Sequence, residues 1–191
     1  MSESSSNRLA NPAPLGLMGF GMTTILLNLH NAGFFPMSAA ILAMGLCFGG
    51  AMQVVAGICE FSKGNTFGFT AFTSYGAFWL SLVLLVLMPR WGWAEASSGA
   101  FMGVFLLLWG LFTLFMFFGT LSGTRALQVV FGSLALLFFL LAGAELLESP
   151  LLTRIAGFEG LLCGASAFYL ALAEVLEEQR ARKTASGLVA G

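Results

Sequence analysis

The sequence predicts an all-α integral membrane protein, a bundle of six transmembrane helices. Three observations carry that prediction. Of the 191 residues, 58% are hydrophobic and only 9% charged, with a mean hydropathy of +0.91. A soluble domain needs far more charge on its surface. The apolar residues also fall into six continuous runs, each near the roughly 20 residues that cross a bilayer core as helix. Short polar or proline-containing breaks separate the runs, whereas the strands of a membrane barrel would alternate over about ten residues.

In chain order, the runs cover residues 15 to about 29 (33 at the outer limit), 37–59, 66–88, Gly99–Gly119, 126–147 and 155 to about 175. The breaks are Pro36, Ser62-Lys63-Gly64-Asn65, Pro89-Arg90, Ser122-Gly123-Thr124-Arg125 and Ser149-Pro150. The chain therefore reads as a polar N-terminal segment (1–14), one transmembrane domain (15–178) and a C-terminal tail (179–191). Residues 1–14 do not read as a signal peptide, because no short apolar core precedes a cleavage site.

An even number of spans puts both termini on one side. That side collects Arg8, Lys63, Arg125, Arg180, Arg182 and Lys183; the other holds only Arg90 and Arg154. Positive charge stays cytoplasmic, so both termini are expected in the cytoplasm of a multi-pass protein in the cell's inner (plasma) membrane. Trp91 and Trp93, beside Arg90, suit an interfacial aromatic belt. Six spans are compatible with two inverted three-helix halves, although no internal repeat supports it.

The composition also narrows function. No basic run suggests nucleic acid. Cys47, Cys59 and Cys163 lie in apolar segments without metal-ligand spacing and read as small buried hydrophobes. With no nucleophile–base pair and no ligand cluster, neither an enzyme nor a cofactor is expected.

Polar residues inside the spans are the informative minority, because they face a bundle interior. The third span spaces Thr66, Thr70, Thr73, Ser74 and Ser81 near the helical repeat. The second places Gly45, Gly49, Gln53 and Gly57 four apart, with Glu60 beyond. In the first, Phe20, Thr23, Thr24, Leu27 and Asn28 share a face, and in the sixth Glu159, Cys163 and Ser166 do. Two readings are open. Small residues pack helices and hydroxyls bond back to the preceding turn; alternatively, the lanes line a pore, in which the amide of Gln53 finds partners. The fourth span, nearly all Leu, Phe, Trp and Gly, reads as facing lipid or another subunit. Of the acids near span ends (Glu60, Glu145, Glu148, Glu159, Glu174), most read as interfacial and solvated. Glu159 is the most interior and the candidate proton site. His30, the only histidine, ends the first span and reads as a structural hydrogen bonder.

The start of the first span is the least ordinary stretch: Asn11-Pro12-Ala13-Pro14-Leu15-Gly16-Leu17. Pro14 suits a first helical turn, Asn11 can cap, and Gly16 bares the backbone. Such a terminus either attracts a carboxylate through open N–H groups or is a rigid entry cap.

This stretch matches the NPAPLGL signature, and the chain resembles the acetate uptake transporter family, in particular its bacterial succinate–acetate permeases. A second block agrees: Gln53-Val54-Val55-Ala56-Gly57-Ile58-Cys59-Glu60-Phe61, then Gly64-Asn65-Thr66-Phe67-Gly68 and Thr70-Ala71-Phe72-Thr73-Ser74-Tyr75-Gly76. The likeness continues through Phe115-Met116-Phe117-Phe118-Gly119-Thr120 to Cys163-Gly164-Ala165-Ser166-Ala167, nearly the whole chain. It implies a six-helix protomer with its own pore, a fold similar to proton-gated urea channels, and a homohexamer. It also implies a hydrophobic constriction at Phe20, Tyr75 and Leu134, with Ala167 affecting which acids fit.

The expected function is transport of acetate, and more weakly succinate or other small carboxylates. Substrate-binding and pore positions are expected at Asn11, Pro12, Gly16, Phe20, Thr23, Thr24, Gln53, Asn65, Thr66, Thr70, Thr73, Ser166 and Ala167. Acetic acid titrates where Asp and Glu do, near pKa 4, so at neutral pH it is an anion, costly in an apolar neck. A proton must accompany it, which favours symport; succinate would need two. The alternative is a passive channel for small monocarboxylates or small neutral solutes.

Overall fold

The computed structural model describes residues 9–189, with side chains described as far as residue 184. Among these residues the structure is helical throughout, with six helices. They are α1 (Ala13–Asn31), α2 (Ala39–Ser62), α3 (Thr66–Arg90), α4 (Gly99–Gly119), α5 (Arg125–Leu146) and α6 (Pro150–Val189). The last five are long and apolar enough to cross a membrane, so this is a membrane protein. α1 falls short because Asn28 and His30 interrupt its apolar run, and packing inside the bundle shelters the first of them. Asn28 is 1% exposed, and its Nδ2 donates to Thr24 O at 2.9 Å. His30 Nδ1 bonds with Phe35 O at 3.0 Å, the structural role expected of it.

Side-chain caps start four of the helices: Asn65, Ser98, Thr124 and Ser149 accept from Gly68 N, Phe101 N, Leu127 N and Leu152 N. Three boundaries differ from the expected ones. α1 begins at Ala13, two residues before the expected start of the span, with Pro14 in the first turn as expected. Pro89 lies within the last turn of α3 instead of ending it. Pro150 opens α6 ahead of the expected start at residue 155, and the helix continues to Val189 through the tail, which was expected to be helical before fraying; residues 1–8 and 190–191 lie outside the described part.

The helices form a ring in chain order, each packing on the next, with α6 closing on α1. α1 and α6 make the most extensive contact, and α3 and α4 the least. Glycines set the close crossing. A Cβ on Gly157 would meet the backbone of Asn31 and Ala32, and one on Gly160 the Asn28 side chain. A Cβ on either Gly21 or Gly164 would meet the other's backbone oxygen at less than 3 Å. Such contacts bring backbones together in lipid, where there is no hydrophobic gain from helix association.

The fourfold row on α2 does not line up as the spacing suggested. A π-helical segment, Gly45–Met52, shifts the register. Gly45 packs under Val83 and Trp79 of α3, Gly49 under Thr23 of α1, and Gly57 under Thr73 of α3. These glycines seat neighbouring helices and do not form a lane. α4 presents Phe101, Leu108, Phe115 and Phe118 outward as expected, but Leu106 and Thr113 are buried inside. Cys47 and Cys59 are exposed on the apolar outer surface; only Cys163 is buried as expected.

Candidate translocation pathway

The ring's middle is filled by one buried cluster that draws on α1, α3, α4, α5 and α6. It contains Phe20, Tyr75, Leu134 and Ala167, each at most 6% exposed. The ring centroids of Phe20 and Tyr75 are 6.2 Å apart. Tyr75 is further walled by Phe112, Phe131 and Trp109 at 5.5, 6.1 and 6.2 Å. The four positions thus belong to one buried cluster, although they come from four helices. Ala167, with no exposed surface, has the smallest side chain of the four.

The polar candidates divide into two groups. Thr73 Oγ1 donates to Phe69 O at 2.6 Å and Ser166 Oγ to Cys163 O at 2.7 Å. Thr23 lies under Gly49 and donates to Met44 O at 3.4 Å. These hydroxyls are satisfied within the fold, as packing residues are. The second group is not. Thr24 Oγ1, Gln53 Oε1 and Glu159 Oε2 are buried and have no hydrogen-bond partner in the protein. Unpaired polar groups in a low-dielectric interior cost several kcal/mol each, so these three, like the indole N–H of Trp79, are polar groups not spent on the fold. Thr24 stands one turn beyond Phe20. Gln53 follows Gly49, which packs on Thr23, by one turn in the opposite direction. Glu159 lies one turn before Cys163 on α6, and the residue as a whole is half-buried. Thr70 is half-buried on α3, and Thr66 is exposed at that helix's start.

The start of α1 is not an open anion cradle. Ala13 N donates to Asn11 Oδ1 at 3.2 Å, Pro14 has no N–H, and Leu15 N and Gly16 N both donate to Pro12 O. Gly16 itself lies beneath the Phe72 ring. Asn11 instead ties helices together. Its Nδ2 donates to Glu174 Oε2 at 3.0 Å, and Lys63 Nζ donates to its Oδ1 at 3.4 Å. Lys63 also reaches Glu60 Oε1 at 3.8 Å, and Asn65 Nδ2 donates to Glu60 Oε2 at 2.6 Å. Glu60, expected to be solvated, is 1% exposed: the turn after α2 folds Asn65 back over it. This polar clasp joins α2, α1 and α6 beside an open groove of about 1060 Å³ at the end of the bundle where α1 begins. At the opposite end, Asn31, Glu145, Glu148 and Arg154 border a second depression of about 680 Å³. Among the described residues no group of three or more His, Cys, Asp or Glu could hold a metal ion.

Sequence reasoning missed Thr113 and the clasp. Thr113 was detectable as the lone hydroxyl of α4. The clasp was not, since its members lie up to 163 positions apart.

Comparison with known proteins agrees with this architecture. The model of the GPR1/FUN34/yaaH family matches residues 1–186. The succinate-acetate/proton symporter SatP of Escherichia coli is 60% identical over 93% of this chain and 94% of its own length. Acetate permease A of Emericella nidulans is 34% identical over 90% of this chain and 63% of its own. Ammonia transport outward protein 2 of Saccharomyces cerevisiae is also 34% identical, over 91% and 64% respectively. The solved structure of the bacterial acetate channel SatP superposes with a TM-score of 0.89 at 62% identity, covering 90% of this chain and 95% of that one. The chain belongs to the GPR1/FUN34/yaaH family.

Proposed function

We propose that this protein moves acetate across the inner membrane, with its termini in the cytoplasm, through a pore in each protomer that narrows at Phe20, Tyr75 and Leu134. The observation that carries this reading is the meeting of those three side chains with Ala167 in one buried cluster at the middle of the ring. The likeness to SatP supports the substrate class. Gln53 and Thr24 serve as polar stations on either side of the neck, and Glu159 is the candidate proton site. An acceptor without a donor favours a substrate that brings its own O–H. Acetic acid does so once protonated, which it is only slightly at neutral pH. Proton-coupled passage therefore fits both the apolar neck and the orphaned acceptors, and succinate, with two charges to neutralise, passes more weakly. Asn11 and Pro12 shape the mouth through the clasp instead of holding substrate by backbone amides. The charge count across the spans supports the orientation, and a homohexamer is the assembly proposed.

A passive channel is the second reading, favoured by the description of the superposing structure as a channel. Labelled-acetate uptake into proteoliposomes tests both. Symport predicts uptake driven by an inward proton gradient and disrupted in Tyr75→Ala. Gradient-independent equilibration that Tyr75→Ala still alters would leave the channel. Indifference to both the gradient and the substitution would end both readings.

A further inference from the structure

We propose that Thr113 is a positioning residue that pins the Tyr75 ring across the loose α3–α4 seam and so sets which monocarboxylates pass. This rests on the reading of Phe20, Tyr75 and Leu134 as the constriction.

Thr113 is the only hydroxyl residue in α4 and has no exposed surface. Its own hydrogen is committed: Oγ1 donates to Trp109 O at 2.7 Å. The same oxygen accepts the Tyr75 hydroxyl at 3.0 Å. Four aromatic rings surround the Tyr75 ring: Phe20, Trp109, Phe112 and Phe131. Rings at those distances confine Tyr75 but offer its hydroxyl no strong acceptor. A buried hydroxyl left unpaired is penalised, so the bond to Thr113 selects the ring's orientation. The backbones of α3 and α4 hardly meet, which leaves this bond as the directional tie across the seam. Freed from it, the hydroxyl turns toward another acceptor, the ring rotates within the cluster that holds Phe20 and Leu134, and the opening changes shape.

The experiment is competitive uptake of acetate and propionate, which is longer by one methylene, in proteoliposomes. Thr113→Val keeps the shape and removes the acceptor; Tyr75→Phe keeps the ring and removes the donor. Each is expected to raise the propionate-to-acetate ratio about fivefold, the effect of one neutral buried hydrogen bond. Thr113→Ser should retain the parental ratio, and the double variant should match either single one, since both remove the same bond. The proposal is overturned if Thr113→Val keeps the parental ratio while Tyr75→Phe changes it, if Thr113→Ser behaves like Thr113→Val, or if the two effects multiply. Tyr75→Ala separates the two levels. If it alters neither rate nor ratio, the constriction itself is misplaced. If it alters them while Thr113→Val does not, only the pin fails.

Discussion

Two seams join the first three helices to the last three, and they are built differently. The α1–α6 seam is backbone against backbone, with Gly21, Gly157, Gly160 and Gly164 at the contact points. The α3–α4 seam is ring against ring: Phe78 stacks on Phe105 at 5.9 Å and meets Trp109 at 5.2 Å, and a single hydrogen bond crosses between Tyr75 and Thr113. Glycine contacts leave no slack, because nothing at the crossing can rotate. Aromatic side chains can tilt while their helices stay in place. The comparison teaches that one seam holds α1, and with it Phe20, at fixed height, while the other allows Tyr75 opposite it to be adjusted.

Substitutions in each seam put this contrast at risk. The largest effect is expected for Gly160→Leu, whose side chain has no room beside Asn28. Overpacking of a closed crossing should cost about 3 kcal/mol, read as a collapse of the folded fraction in detergent; a folded, transporting variant would remove the rigid seam from the account. Trp109→Phe shrinks a ring in the loose seam and should cost about 1–2 kcal/mol with the fold retained. A loss as large as that of Gly160→Leu would mean the two seams are equally unforgiving. The smallest effect belongs to the clasp. Glu174→Ala removes the acceptor of Asn11 Nδ2 and should lower stability by about 1 kcal/mol, visible as a small drop in melting temperature, with Glu174→Gln restoring most of it. No change in Glu174→Ala would show that α1 is held by the glycine seam alone.

Much of the fold was legible before any coordinates. Continuous apolar runs located the six helices, because lipid demands them at that length. Their ends were less legible: Pro89 and Pro150 read as breaks, yet one completes a helix and the other starts one, since proline is tolerated where no amide donor is missed. The lanes were half right. Gln53 and Thr24 read as interior polar groups and are buried with unpaired acceptors. The row from Gly45 to Gly57 did not hold, because a π-helical segment breaks the 3.6-residue period on which the spacing argument depended.

The sequence by itself determined the solvent, the number of helices and the family, for these depend on composition, run length and motif. Only the tertiary structure decided which polar groups are spent on the protein and which are left over. Thr73 and Thr24 are the same residue type on the faces of two helices, yet one bonds its own backbone and the other has no partner. It also decided that Glu60 is buried under Asn65, and that Thr113 in an apolar helix meets Tyr75 from 38 positions away. The physical reason is that hydrogen-bond satisfaction is settled by neighbours across the bundle, which no periodicity along one helix can specify.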